Sequence, residues 1–128
     1  MLENRKIFVI EDNSFYQKLL KTILEKDHHH VISLDGTEDI IAALKEHNPF
    51  LIITDMHLAE NVQGIHLIRS IRATELYKRI PIIAISAHMH KIKHLELEEN
   101  FACYILNKPI DIVHLMSIVK KIKDAESE

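Results

Sequence analysis

The chain has 128 residues, 47% of them hydrophobic and 27% charged, which predicts one soluble globular domain spanning residues 1–128. Its formal net charge of −3 argues against nucleic-acid binding, because such surfaces carry a basic excess. The first apolar run is too short for a signal peptide, and no run has the length of a membrane span. The only cysteine, Cys103, cannot form an intramolecular disulfide, and we therefore expect a cytoplasmic protein.

Short apolar runs of strand length recur along the chain, and each is followed by polar residues. They predict five strands, at residues 7–10, 30–34, 51–55, 80–85 and 103–106. Amphipathic segments follow each run, and the fourth of them, residues 89–99, is the most polar. Five strands alternating with five helices predict an α/β fold of three layers, with helices on both faces of a doubly wound parallel sheet.

Capping residues mark where the predicted helices begin. Asn13 or Ser14 is expected to cap the first helix, Thr37 the second and Asp111 the last. The spacing of apolar residues in the first helix predicts a buried stripe made of Phe15, Leu19, Leu20, Ile23 and Leu24.

Polar residues follow four of the predicted strands, at the edge where an open parallel sheet places its active crevice. These residues are Glu11, Asp12, Asp55, Ser86 and Lys108. Carboxylates brought close together repel one another unless a cation joins them, and oxygen ligands beside a phosphate suit Mg²⁺. A lysine and a hydroxyl opposite them would bind phosphoryl oxygens. The set therefore predicts metal-assisted phosphoryl transfer.

Taken in order, these motifs resemble the receiver domain of two-component response regulators over nearly the whole chain. The residues that carry the resemblance are 6–13 (Lys-Ile-Phe-Val-Ile-Glu-Asp-Asn), Thr54-Asp55, Leu58, Gly64, Ser86-Ala87 and Lys108-Pro109. The resemblance implies a flavodoxin-like fold with a five-stranded sheet of order 2-1-3-4-5. It also implies a phosphorylation-dependent signalling switch, which is not an enzyme in the usual sense but transfers and slowly loses its own phosphate.

The resemblance assigns a role to each residue at the strand ends. Asp55 would be the phosphoacceptor, whose carboxylate attacks the phosphorus of a phosphohistidine and becomes an acyl phosphate. The implied Mg²⁺ ligands, which would also accept Mn²⁺, are Glu11, Asp12, Asp55 and the backbone carbonyl of His57. The residues implied to bind the phosphoryl group are Lys108, Ser86 and Ala87. His57 and His88 would flank the pocket and set the lifetime of the phosphate.

The resemblance also implies partners and surfaces. A histidine kinase or a histidine phosphotransfer protein would supply the phosphoryl group, docking on the first helix and the Pro109-Ile110 loop. A downstream protein, or a second copy of the chain, would bind the surface formed by helix 4 (residues 89–99), strand 5 and helix 5. Neither a nucleic acid nor a membrane is expected as a partner. The family's Lys-Pro bond, here Lys108-Pro109, is often cis.

The chain departs from the family pattern in several places, among them Asn100-Phe101, where a Gly-Ala pair is usual. Ala59 stands where a proline is usual, and Gly64 follows Asp55 at the longer of two spacings. Ile105 stands at the position of the family's switch aromatic, and neighbouring Tyr104 should point to the opposite face of the sheet.

Several alternatives stay open at this point. The chain could be a receiver from a larger hybrid kinase or multidomain regulator, or a degenerate receiver that binds partners without phosphorylation. A flavodoxin-like nucleotide binder would need a glycine-rich loop where Glu11-Asp12-Asn13 stands, and a phosphohydrolase would need a second acid where His57 stands. The run His28-His29-His30 predicts an exposed turn rather than a metal site, because consecutive strand residues cannot all face one ion.

Overall fold

The computed structural model describes residues 4–57, 64–87 and 104–126. Its five strands form one parallel sheet, as the sequence pattern predicts, in the order β2-β1-β3-β4-β5 that the resemblance implies. The strands are β1 (Lys6–Ile10), β2 (His30–Leu34), β3 (Leu51–Asp55), β4 (Ile82–Ser86) and β5 (Tyr104–Asn107). The helices are α1 (Ser14–Lys26), α2 (Ile40–His47), α3 (Gly64–Ala73) and α4 (Ile112–Glu126), with a 3₁₀ turn at Glu75–Tyr77.

The two central strands β3 and β4 are buried along their whole length, because helices cover both faces of the sheet. Alternate strand residues therefore enter two separate cores. The core under α1 and α4 includes Ile7, Val9, Leu24, Ile53 and Leu115. The core under α2 and α3 includes Phe8, Ile10, Leu44, Ile52 and Ile68. Each fully buried side chain of this size contributes about 1.5–3 kcal/mol from the area removed from water.

The predicted helices are present, except that residues 89–99 lie outside the described part of the chain. None of the described helices is long and apolar enough to cross a membrane. The side chain of Asn13 caps α1 by accepting a hydrogen bond from the Tyr16 N–H at 3.0 Å. Asp111 does the same for the His114 N–H at 3.1 Å, as predicted for the last helix.

The predicted cap of the second helix was wrong. Asp39, not Thr37, caps α2, since its side chain accepts a hydrogen bond from the Ala42 N–H at 3.1 Å. The Thr37 hydroxyl instead donates to Asp35 Oδ1 at 2.6 Å and so stabilises the turn before the helix. One member of the predicted buried stripe of α1 was also wrong. Phe15 is 65% exposed, because α1 turns Leu20 and Leu24 toward the sheet.

The sequence predicted that the whole histidine run is exposed. This prediction was wrong for His29, which turns inward. His28 and His30 are exposed, whereas His29 is 6% exposed and its ring centroid lies 5.7 Å from that of Phe50. Burial lowers the pKa of His29, and the positive charge of Arg5 lowers it further, against the opposing effect of Asp27.

His29 should make folding stability depend on pH. Its pKa is lowered from 6.5 in the folded protein, so the unfolded chain binds more protons as the pH falls through that value. The stability contributed by neutral His29 is thus complete above pH 6.5 and is lost below it. The difference in free energy of unfolding in urea between wild type and His29→Phe isolates this contribution, because groups common to both proteins cancel. Between about pH 7.5 and about pH 5.5, wild type should lose stability relative to His29→Phe.

The exposed neighbour His28 provides the matched control. His28→Asn keeps a residue that tolerates the positive φ of 67° at this position. This variant should retain the wild-type dependence of stability on pH. The same dependence in wild type and His29→Phe would show that His29 does not contribute.

Candidate functional site

The polar residues that follow the strands meet at one edge of the sheet. The register pairs Asp55 of β3 with Ile85 of β4, and Ser86 of β4 with Asn107 of β5. The carboxyl ends of three strands therefore lie side by side, and Glu11 follows β1 on the other side of β3. Ser86 is fully buried and Ala87 is exposed. His88 lies outside the described residues.

Lys108 joins the two buried acids of this edge. Its Nζ lies 2.7 Å from Asp55 Oδ2 and 3.1 Å from Glu11 Oε2. Asp55 is 5% exposed and Glu11 is 1% exposed, and the lysine side chain is 15% exposed. Burial lowers the pKa of Lys108, but the hydrogen bonds and negative charges of Asp55 and Glu11 outweigh it and raise the pKa overall.

The second oxygen of Asp55 is bound by the backbone. The N–H of His57 donates to Asp55 Oδ1 at 2.9 Å, whereas the His57 side chain is exposed. Asp55 therefore has one oxygen on a backbone amide and the other on an ammonium. This arrangement fixes the orientation of its carboxylate at the end of β3.

Three carboxylates form what we call the acid cluster: Glu11, Asp12 and Asp55, each with an oxygen within 4.8 Å of the others. Burial raises the pKa of Glu11 to about 7, and the charge of Asp55 adds to the increase. The N–H of Asn13, which donates to Glu11 Oε1 at 3.0 Å, and the neighbouring Lys108 act in the opposite direction. When ionised, the three carboxylates carry more negative charge than one lysine balances.

The acid cluster fits a hard divalent cation. Glu11 Oε2 is buried and makes no well-aligned hydrogen bond among the described residues, and the charged group beside it, Lys108 Nζ at 3.1 Å, also binds Asp55. A buried carboxylate oxygen whose hydrogen bonding is incomplete is stabilised by a further positive charge. All three side chains offer only oxygen, the donor that Mg²⁺ and Mn²⁺ prefer.

Gly64 allows α3 to begin directly against the end of β3. Its N–H donates to the Met56 carbonyl at 2.9 Å. A Cβ at this position would overlap the Asp55 carbonyl oxygen and would lie 2.7 Å from Met56 Cα. Both neighbours are backbone atoms of the segment that carries Asp55, so neither can move without moving the site. The loop before Gly64, including Ala59, lies outside the described residues.

Gly64→Ala should therefore destabilise the protein, because the added methyl group forces backbone atoms apart. Overpacking of this kind costs about 1–3 kcal/mol. The free energy of unfolding in urea measures the loss. Ser70→Ala, an exposed change on the same helix, is the control and should stay within about 0.5 kcal/mol of wild type. A Gly64→Ala variant as stable as Ser70→Ala would contradict the close packing.

Two features implied by the resemblance are present around Lys108 and β5. The Lys108-Pro109 peptide bond is cis, and the Lys108 N–H donates to the Ser86 carbonyl at 2.9 Å. Tyr104 packs in the core under α1 and α4, whereas Ile105 packs in the core under α2 and α3. Neighbouring residues of β5 thus face opposite sides of the sheet, and an aliphatic side chain occupies the switch-aromatic position.

One residue at the site was missed by the sequence analysis. The ring of Tyr16 on α1 lies under Lys108, with its centroid 4.3 Å from Nζ. No spacing or motif signals this contact, because the two residues are far apart in the chain. The one sequence signal for it was that Tyr16 is an aromatic residue in the first turn of α1, close after Glu11-Asp12.

The geometry of this edge is that of a known family. The family model for the response regulator receiver domain matches residues 7–120. The chain belongs to this family. It is therefore a receiver domain of a two-component system, and the family match favours this assignment over a flavodoxin-like nucleotide binder or a phosphohydrolase. Receiver domains are signalling switches rather than conventional enzymes, and they interact with histidine kinases and downstream targets.

Individual relatives agree with the family model. The polar-differentiation response regulator DivK of Brucella ovis is 24% identical over 116 residues, covering 91% of this chain and 94% of DivK. The receiver domain of a signal transduction histidine kinase from Syntrophus aciditrophicus is 25% identical with a TM-score of 0.82, over 94% of this chain and 90% of that one. The fold is also that of the receiver domain of a Pseudomonas aeruginosa sensor histidine kinase, solved with magnesium in its active-site cleft. That comparison gives 22% identity and a TM-score of 0.81, over 94% of this chain and 98% of that one.

Proposed function

We propose that this receiver domain is switched by phosphorylation of Asp55, with a phosphohistidine as donor and Mg²⁺ as the required cation. The observation that carries the proposal is the position of the Lys108 ammonium, 2.7 Å from Asp55 and 3.1 Å from Glu11 at the mouth of the acid cluster. A buried ion pair of this kind adds little net stability, because desolvation offsets the attraction. Its presence is therefore better explained by chemistry than by folding.

The proposed reaction is a direct transfer to the Asp55 carboxylate. One carboxylate oxygen attacks the phosphorus of the phosphohistidine, the P–N bond breaks, and the imidazole leaves with the electron pair of that bond. The product is an acyl phosphate on Asp55. The His57 N–H and the Lys108 ammonium hold the carboxylate in place before the attack. Afterwards Lys108 is close enough to bind an oxygen of the transferred group.

The cation would be held by Glu11, Asp12 and Asp55, together with the backbone carbonyl of His57. When bound, it neutralises charge on the phosphoryl oxygens and on the acid cluster, and Mn²⁺ is the alternative. Ser86 is buried at the end of β4 and would donate a hydrogen bond to the phosphoryl group, with Ala87 beside it. Slow hydrolysis of the acyl phosphate returns the domain to its resting state. The role of His57 and His88 in setting that lifetime stays a prediction.

The proposed partners follow from the same chemistry. The donor is a histidine kinase or a histidine phosphotransfer protein, docking on α1 and the Pro109-Ile110 loop. Residues 89–99, β5 and α4 form the proposed output surface for a downstream protein or a second copy. We further propose one domain over residues 1–128 and a cytoplasmic location. The site chemistry is the same whether the domain acts alone or within a longer chain.

Phosphorylation of Asp55 can be measured directly. Wild type incubated with phosphoramidate and Mg²⁺ should gain one phosphoryl group by intact mass. Asp55→Asn should gain none, because an amide cannot act as the nucleophile. Chelation of the metal before the donor is added should also abolish the gain.

Asp124→Asn is the matched control, because it makes the same chemical change on the exposed surface of α4. This variant should be labelled like wild type. A wild type that folds but takes up no phosphoryl group would contradict the proposal and favour a degenerate receiver. Labelling of Asp55→Asn equal to that of wild type would place the phosphate elsewhere.

A further inference from the structure

The ammonium of Lys108 contacts both carboxylates and an aromatic ring. Two carboxylate oxygens bind it, and the ring of Tyr16 lies 4.3 Å from it. Tyr16 is itself held in place, because its N–H donates to Asn13 Oδ1 at the start of α1. Its ring, which is part of a half-buried side chain, also meets that of Phe15 edge to face, with centroids 5.3 Å apart.

The contact between Lys108 and Tyr16 has the geometry of a cation–π interaction. An ammonium within about 6 Å of a ring centroid is attracted by the electrons of the ring face, and more strongly where water is excluded. Lys108 meets this condition, since its side chain is only 15% exposed. A lysine ends in a compact charge on a flexible four-carbon stem, and this flexibility must be restricted if the charge is to stay in one place.

We propose that Tyr16 is a positioning residue that holds the Lys108 ammonium at the phosphoacceptor site through its aromatic ring. The inference rests on the proposed phosphorylation of Asp55. Conversion of the Asp55 carboxylate to an acyl phosphate removes one of the negative charges that bind Lys108, whereas the ring contact does not depend on that charge. Tyr16 therefore keeps the ammonium in reach of the incoming phosphoryl oxygens.

The attraction resides in the ring and not in the hydroxyl, which separates the variants at position 16. Tyr16→Phe should retain the positioning, and Tyr16→Leu should lose it. Leu76→Ala is the control for loss of an exposed apolar side chain, because Leu76 is 75% exposed and lies on the 3₁₀ turn rather than on α1. Urea unfolding of each variant shows whether the fold is retained.

The first measurement is the NMR spectrum of Lys108 in the unphosphorylated domain. Protons of its terminal methylene groups lie near the ring face and should be shifted upfield by the ring current in wild type and Tyr16→Phe. The shift should disappear in Tyr16→Leu and persist in Leu76→Ala. This signal does not require any phosphoryl transfer.

The second measurement is the rate of labelling by phosphoramidate with Mg²⁺. Tyr16→Leu should be slower than wild type by about fivefold, the loss expected for one cation–π contact, while Tyr16→Phe stays within about twofold. A Tyr16→Leu variant that is labelled at the wild-type rate would overturn the proposal, and so would one whose Lys108 signals match those of wild type. So would a Tyr16→Phe variant as slow as Tyr16→Leu, because the ring would then not be the cause.

The two failures are distinguishable. A wild type that takes up no phosphoryl group contradicts the proposed function, and the positioning role falls with it. A wild type that is labelled, together with a Tyr16→Leu variant of wild-type rate, contradicts only the role of Tyr16.

Discussion

The ion pair between Lys108 and the buried acids Asp55 and Glu11 is the interaction on which the rest of this site depends. Two acids that are almost inaccessible to water face each other at the edge of the sheet, and only a nearby positive charge makes this arrangement tolerable. Lys108 supplies one such charge against the three carboxylates of the acid cluster, which leaves an excess of negative charge when all three are ionised. The excess is what gives the site its capacity for a divalent cation.

The order of the strands in the sheet brings the three charged residues of this ion pair together. Glu11 follows β1, Asp55 ends β3 and Lys108 follows β5, so the three charges come from strands that are separated in sequence and ordered in space. Two apolar cores hold the strands in register from either face. The close contact of Gly64 with the backbone after Asp55 ties α3 to the same edge. The free energy gained by packing the two cores thus offsets the repulsion between the carboxylates at this edge.

The sequence predicted this edge well because parallel strands place their carboxyl ends side by side, whatever the details of the turns. The sequence predicted the wrong residue where two neighbouring residues could cap the same helix. Thr37 and Asp39 are both good helix caps, but the Thr37 hydroxyl donates to Asp35 and Asp39 accepts from the Ala42 N–H. Phe15 fits the helical period, but the position of the sheet decides which part of a wide apolar stripe is buried.

By itself the sequence determined the order of the strands and helices along the chain and the set of polar residues at the strand ends, because each depends on local pattern and on general rules of chain connection. The order of the strands within the sheet was implied by the resemblance to receiver domains. Only the tertiary structure decided which atoms meet. The burial of Glu11, its contact with Lys108, and the ring of Tyr16 beneath Lys108 all depend on distant parts of the chain. Such contacts follow from packing in three dimensions, and no spacing along the sequence records them.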